Sequence, residues 1–268
     1  MAFLAVPGPF DLALTTERFR AFGVDRANVW HEGGLHRAID GREVRIEAAS
    51  GGVDVEPLDA ATEPVVRTLL GLVFKLEPFY AWAAADDVLG PATRRLPGFR
   101  PTLAPDPFEM LVGAITAQQV SLFAAVAIRN RMIERFGRRL GVVWEFPTRD
   151  VLAAAREEDL VAAGFSRRKA EYTVGLARSD LDLEALAPLP DDEVKARILS
   201  VRGLGEWTAE WFLARHLARP HAWPWGDLAL RKAVADLYGG LDVREARKRF
   251  HPFENLSAHY LLLANRVP

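Results

Sequence analysis

The 268-residue sequence predicts an α+β, mostly α fold: an N-terminal antiparallel sheet with helices, followed by two all-helical subdomains. Three observations predict it. Val44, Ile46 and Ala48 alternate with Glu43, Arg45 and Glu47, the period of two of a strand with one buried face. Strand signals nearly vanish after Pro78. From there, apolar residues recur at helical spacing between short connections containing Gly or Pro, as in a helical bundle.

In order along the chain, short segments at 28–31, 35–39, 43–48 and 53–56 are separated by Gly33-Gly34, Asp40-Gly41 and Gly51-Gly52. These dipeptides are hairpin-turn signals, so the segments predict an antiparallel meander. A helix over 63–76 is expected to cover one face of it. Residues 79–87 read as helix, 91–105 as a proline-rich loop and 107–136 as a long apolar-periodic stretch. Further helices are expected at 149–163, 167–177, 191–201, 206–217, 228–238, 243–250 and 256–264. The expected division is a mixed α/β domain over 1–78, a helical domain over 106–217, and a second helical subdomain made of 79–105 plus 218–268. An active-site cleft is expected between the two helical parts.

Composition narrows the function classes. Half the residues are hydrophobic, ample for a real core, and the formal net charge is −2. A chain that coats nucleic acid is basic overall, so any contact with DNA must come from a local patch and from backbone amides. With no cysteine, disulfides, thiolate catalysis, cysteine-ligated zinc and an iron–sulfur cluster are all excluded. The start of the chain lacks a basic n-region and is broken by Pro7 and Pro9, unlike a signal peptide. No apolar run reaches the roughly 18 residues of a membrane span. The expectation is a monomer in the cytoplasm.

The most informative segment runs from Val201 to Leu230. In Val201-Arg202-Gly203-Leu204-Gly205-Glu206-Trp207-Thr208, one helix ends and another begins. Gly203 and Gly205 are expected to take positive φ and to leave no side chain in the way of a close ligand. Turn amides and the free N–H groups of the second helix would then bind an anion such as a phosphate. Such a helix–hairpin–helix positions DNA without reading its sequence. An ordinary C-cap glycine before a helix start gives the same short pattern. Leu204 between the glycines and the following Thr208-Ala209 lengthen it beyond that.

Asp227 opens the helical run that follows Pro224-Trp225-Gly226. Aspartate is a favoured N-cap, and that alone explains the position. A helix N-terminus also favours an ionised carboxylate, and an anion fixed near a sugar C1′ stabilises an oxocarbenium-like transition state. It could equally orient or deprotonate an attacking water. Trp207, Trp211, Trp223 and Trp225 place four of the seven tryptophans within nineteen positions. Aromatic residues so spaced usually pack a core, yet they also suit a wall for a flipped, positively charged base. Basic clusters occur at 129–139, at Arg167-Arg168-Lys169 and at 244–249. Charge runs are commonly solvated faces, and the second cluster lies closest in sequence to the hairpin.

These residues resemble the helix–hairpin–helix DNA glycosylase superfamily, within it the 3-methyladenine DNA glycosylase II (AlkA-like) branch. The resemblance rests on VRGLGEWTAEWF with Gly226-Asp227, on AITAQQVS at 114–121 and on GFSRRKAEY at 164–172. It implies a monofunctional N-glycosylase that flips alkylated purines of the 3-methyladenine and 7-methylguanine type from duplex DNA, and whose only implied partner is double-stranded DNA containing a damaged base. Asp227 would be the catalytic carboxylate. Trp207, Trp211, Phe123 and Tyr260 would line the base pocket, with Phe253 an alternative to Tyr260. Gly203, Leu204, Gly205, Thr208, Gln118, Gln119, Arg167, Arg168 and Lys169 would contact DNA, Gln118 and Gln119 filling the gap left by the flipped nucleotide. The backbone carbonyls of Val201 and Gly203 would hold a structural sodium or potassium ion, and no cofactor would be required.

Two departures bear on substrate range. Gln119 stands where an apolar wedge is expected, and the C-terminal segment lacks an expected Arg-Ser pair and final tryptophan. Relatives that also cut the backbone carry a Schiff-base lysine two residues after the second hairpin glycine, where this chain has Trp207. An amine is needed to attack C1′, so lyase activity is not expected. Two other readings stand beside this one: an oxidised-base glycosylase of the same superfamily, and a non-catalytic helix–hairpin–helix protein that only holds DNA.

Overall fold

The computed structural model describes residues 1–266. The first five strands, β1 (Ala2–Ala5), β2 (Asn28–His31), β3 (Gly34–Ile39), β4 (Arg42–Ala49) and β5 (Gly52–Glu56), form one antiparallel sheet in the order β1-β5-β4-β3-β2. In its register Ile46 lies opposite Leu35 on one side and Val55 on the other. The alternation in β4 therefore puts Val44 and Ile46 in the core with no exposure. The meander is as expected. The edge strand β1 is an addition, a four-residue segment too short to carry a periodic signal.

Helix α1 (Leu12–Thr15) is a single turn, and α2 (Thr62–Leu69) covers the sheet through Val66 and Leu69. The expected helix over 63–76 stops early because Gly71 turns the chain at φ +63°, where an added Cβ would lie 2.2 Å from the Pro101 carbonyl oxygen. Helix α3 (Leu76–Ala83) follows, and α4 (Leu89–Arg95) occupies part of the expected loop. Asp86 caps α4 by accepting from Val88 and Leu89, and Pro91 sits in the first turn, where no N–H is required.

The apolar stretch at 107–136 is two helices, α5 (Pro107–Ala117) and α6 (Leu122–Phe136), broken at a turn where Gln119 takes φ +54°. Ser121 caps the second by accepting from Ala124 N at 3.2 Å. Two-residue strands β6 (Arg139–Leu140) and β7 (Val143–Trp144) pair next. The expected helix at 149–163 is likewise two, α7 (Arg149–Ala154) and α8 (Glu157–Ala162), with the Arg178 guanidinium bonding the Ala153 and Ala155 carbonyls at the break. The remainder is α9 (Arg167–Arg178), α10 (Asp191–Leu199), α11 (Glu206–Arg215), α12 (Leu228–Leu237), α13 (Val243–Arg249) and α14 (Glu254–Ala264).

Buried apolar side chains gather in three clusters. One joins the sheet to α2. A second packs α5 to α11, with Leu111, Ile115, Met132, Ile198 and Phe212 at its centre. A third joins α3 and α4 to α12, α13 and α14 through Phe79, Leu89, Trp223, Phe250 and Tyr260. Each fully buried large aliphatic or aromatic side chain contributes about 1.5–3 kcal/mol relative to exposure. Among the described residues no helix is long and apolar enough to cross a membrane. Residues 267 and 268, the end of the expected second helical part, lie outside the described residues.

Candidate active site

Helix α10 ends at Leu199 and α11 begins at Glu206, so the turn between them is built from Val201 to Gly205. Gly203 has φ +95°, and a Cβ there would lie 2.2 Å from the Tyr172 ring. Both its conformation and its neighbour therefore demand glycine. Leu204 points inward and is buried in the helical core, anchoring the turn. Gly205 departs from expectation: its φ of −118° and ψ of −179° are extended backbone open to any residue. Nothing of the protein lies within 4 Å of a Cβ built at Gly205, so its missing side chain leaves space toward solvent. The N–H groups of Glu206, Trp207 and Thr208 open α11 without intrahelical acceptors. The Thr208 side chain is buried, so that residue offers a ligand only its amide.

Around this turn, Gln118 Nε2 donates to the Gly203 carbonyl at 2.8 Å and Lys169 Nζ donates to the Thr116 carbonyl at 2.8 Å. Burial pushes the Lys169 ammonium below its ordinary pKa. The hairpin, the α5–α6 turn and the start of α9 are thus tied together. Of the residues assigned to the duplex, Gln118 and Lys169 are spent on these internal bonds, while Gln119 is exposed at the tip beside Val120, Leu122 and Phe123. Val201 and Gly203 carbonyls each already accept an N–H donor, from Leu204 and Gln118 respectively. Each carbonyl keeps a second lone pair, and no step below uses a bound ion.

The three basic clusters differ in what holds them. Arg129 is enclosed in ion pairs, Arg135 pairs with Asp159 and Arg138 with Glu145. In the third cluster, Arg244 lies over Trp225, Lys248 pairs with Glu245 and Arg249 with Asp86. Arg167 and Arg168 are exposed in the first turn of α9 and have no side-chain partner among the described residues.

Asp227 closes the loop after α11 and is the N-cap of α12: its Oδ1 accepts from Ala229 N at 2.9 Å and Leu230 N at 3.0 Å. Its Oδ2 accepts from the Trp207 indole at 2.9 Å and the Trp211 indole at 3.0 Å. Spacing of four on α11 brings both indoles to one face, and that face meets the α12 N-terminus. A carboxylate has about four lone-pair directions, and here four donors occupy them. Asp227 is half-buried, at the edge of a cavity of about 550 Å³ that also takes in Trp207, Trp211, Arg215 and His259.

On the inner wall, Arg215 stacks over the Trp211 ring at 3.8 Å and its Nε donates to His259 Nε2 at 3.4 Å. His259 donates from Nδ1 to the Asn255 carbonyl at 2.9 Å, which fixes a neutral tautomer. Burial, and then the Arg215 charge, push His259 down to about 3. Burial and then Arg18 weaken the hold on the Arg215 proton, with Asp227 opposing them. Deeper in, Glu109 bridges Arg37 and Arg129 at 2.6 Å each, and Arg129 continues to Asp25 at 2.6 Å. Burial alone would raise the Glu109 carboxyl, but the two guanidinium groups hold it below its ordinary value. This chain of charges joins the N-terminal sheet to α5 and α6 along one cavity wall. Arg266 pairs with Glu17, whereas Arg18 lines the cavity with no hydrogen-bond or ion-pair partner among the described residues.

Three expected pocket residues are placed elsewhere. Tyr260 is fully buried in the third core, its hydroxyl donating to the Phe99 carbonyl at 2.8 Å and 2.8 Å from the Tyr80 hydroxyl. Phe253 packs against Phe79 and Trp82 in the same core. The C-terminal wall is instead the face of α14 bearing His259, Leu262, Leu263 and, beyond the helix, Arg266. Phe123 is 63% exposed outside the cavity wall and packs edge-to-face on Phe22, which lines it. Sequence reasoning missed Arg18, Phe22, Arg215 and His259. None of the four stands in a local pattern that marks it as facing the cavity. A groove of about 700 Å³ between α9 and α10 contains none of the Asp227 constellation.

A helix–hairpin–helix thus packs beside a carboxylate-capped helix, with aromatic donors fixing that carboxylate at the edge of a cavity. The chain belongs to the HhH-GPD superfamily of base excision DNA repair proteins, whose family model matches residues 112–255. It is similar to a DNA-3-methyladenine glycosylase of Bacillus subtilis, 32% identical over 167 residues covering 59% of this chain and 55% of that protein. DNA-3-methyladenine glycosylase 2 of Escherichia coli is also 32% identical over 167 residues, 59% of this chain and 58% of that protein. The chain thus aligns with little more than half the length of these relatives. A solved 3-methyladenine DNA-glycosylase from Archaeoglobus fulgidus superposes with a TM-score of 0.88 at 30% identity, covering 100% of this chain and 99% of that one.

Proposed function

We propose that the protein is a monofunctional DNA N-glycosylase that flips alkylated purines, of the 3-methyladenine and 7-methylguanine type, out of duplex DNA and hydrolyses their glycosidic bond. The observation that carries this reading is the Asp227 carboxylate, held by two backbone amides and two indoles at the rim of a cavity. The relatives' names and the Archaeoglobus fulgidus neighbour support the same substrate class.

In the mechanism, amides at Gly205–Thr208 take a backbone phosphate, as a helix N-terminus does, and Arg167 and Arg168 add charge from the neighbouring α9 N-terminus. The exposed Gln119, Val120 and Leu122 enter the gap in the stack, and the flipped base stacks beside Trp207 and Trp211. The C1′–N bond then breaks with its electron pair leaving on the base. A purine carrying positive charge departs neutral, so little acid assistance is needed. The positive charge that develops on the sugar is stabilised by Asp227. Because its lone pairs are already taken by four donors, Asp227 acts through its charge, and the water that adds to C1′ gives its proton to solvent. A fixed anion without a base suits substrates that already carry a good leaving group, which favours alkylated over oxidised purines.

Trp207 fills the hairpin position where a Schiff-base lysine would attack C1′, and its indole is bonded to Asp227. Lys232 is the lysine that lines the cavity. The test is chromatography of bases released from methylated duplex DNA, with borohydride added in parallel. Free 3-methyladenine and 7-methylguanine without a trapped protein–DNA adduct are expected. An adduct, above all one lost in Lys232→Ala, would overturn the monofunctional reading, and no release would overturn the glycosylase reading.

A further inference from the structure

At the N-terminal end of α14, away from the cavity lining, His221, His251 and Glu254 bring one ligand atom each to within 4.8 Å of one another. His221 Nδ1 lies 3.1 Å from Glu254 Oε2 and His251 Nδ1 lies 3.3 Å from Glu254 Oε1. The two imidazoles stack, with centroids 5.2 Å apart and planes 15° from parallel. The Glu254 side chain is only 5% exposed, while the histidines face solvent. Among the described residues no arginine or lysine contacts this buried carboxylate. Arg247 reaches the same loop but donates to the His221 carbonyl instead.

We propose that these three side chains bind a divalent transition-metal ion of the zinc type. A tetrahedral ion with bonds near 2.0–2.1 Å holds its ligand atoms about 3.3 Å apart. The two separations seen here already have that size, and all three ligand atoms lie within 4.8 Å of one another on side chains of which two are exposed. Two imidazoles with one carboxylate select zinc, cobalt, nickel or copper over magnesium or calcium, which prefer oxygen ligands alone. A buried carboxylate also needs a compensating charge, and an ion supplies it. The exposed histidines leave a fourth position for water.

None of the three lines the cavity. His221 lies in the loop between α11 and α12, six positions before Asp227, His251 precedes α14, and Glu254 is its first residue. The ion therefore clips the loop that carries Asp227 to the helix that forms the C-terminal cavity wall. Its role is to stiffen, and it stands whether or not the proposed base-release chemistry does.

The test uses the untagged full chain, stripped with a chelator and titrated with zinc chloride by calorimetry and thermal melting. One equivalent is expected to bind, with Tm rising by several degrees at about a hundredfold excess over the dissociation constant. Cobalt in its place should give the visible absorption of a four-coordinate ion. His221→Ala and His251→Ala should each weaken binding roughly tenfold or more, and the double variant should lose both the heat and the Tm shift. Both histidines are exposed, so these variants keep the fold where Glu254→Gln could disturb it. Absence of a stoichiometric equivalent in the wild type, or an unchanged Tm shift in the double variant, would overturn the proposal.

Discussion

The Trp207 indole N–H donates to Asp227 Oδ2 at 2.9 Å, so the hairpin helix and the carboxylate are joined directly. Trp211 makes the same bond one helical turn later, at 3.0 Å. The residues expected to form the base wall thus also aim the anion, and their loss removes a donor from a charged acceptor.

Replacing either tryptophan by phenylalanine keeps a ring and deletes that donor. A hydrogen bond to a charged group is worth about 1.5–3 kcal/mol. Single-turnover release of 7-methylguanine is expected to slow roughly 10- to 100-fold in Trp211→Phe, with a similar loss in Trp207→Phe. Wild-type rates in both would show that the indoles do not position Asp227.

The two hairpin glycines should separate folding from binding. Gly203→Ala places a Cβ against Tyr172 at a positive φ, and is expected to cost about 2 kcal/mol or more in chemical unfolding. Gly205→Ala meets no atom of the protein, so its stability should stay within about 0.5 kcal/mol of wild type. Its affinity for duplex DNA should nevertheless fall, because the methyl group occupies the approach to the α11 amides. Unaltered DNA affinity in Gly205→Ala would remove the phosphate from this turn.

Much of this arrangement was legible in the sequence. The alternation in β4, the glycine-bounded turn and the spacing of Trp207 and Trp211 each follow from local rules. The N-cap reading of Asp227 holds through one oxygen, while the other meets the indoles. What was not legible depends on faces and on distant segments. Residues 256–261 of α14 are buried all round, so periodicity does not say whether His259 or Tyr260 turns to the cavity. Arg18 and Phe22 reach it from the N-terminal region, about 200 positions before Asp227 along the chain, with no local pattern to mark them. The bond from Gln118 to Gly203 is likewise a product of tertiary packing.

Arg167 and Arg168 should act on DNA affinity without selecting a base. Replacing both with alanine is expected to weaken binding and flatten the dependence of log affinity on log salt by about 0.9 per lost phosphate contact. Fluorescence anisotropy over a salt series measures this. An unchanged slope would move the contact elsewhere.

His259 gives the fold an acid-sensitive point. Its folded value of about 3 lies below the ordinary 6.5, so the unfolded chain binds the proton first. Stability from this group is complete above pH 6.5 and is lost as pH falls from 6.5 toward 3, by up to about 1.4 kcal/mol per unit. In urea unfolding, His259→Gln should lose less stability than wild type across that window. Parallel curves would contradict a buried neutral imidazole.

The most direct test of the central claim is single-turnover base release by Asp227→Asn alongside its affinity for the same duplex. Asparagine still caps α12, so folding and DNA binding should be kept. Loss of the fixed charge should slow release by about 10²- to 10³-fold or more. Release at the wild-type rate, with binding intact, would contradict the assignment of Asp227 as the group that stabilises the sugar cation.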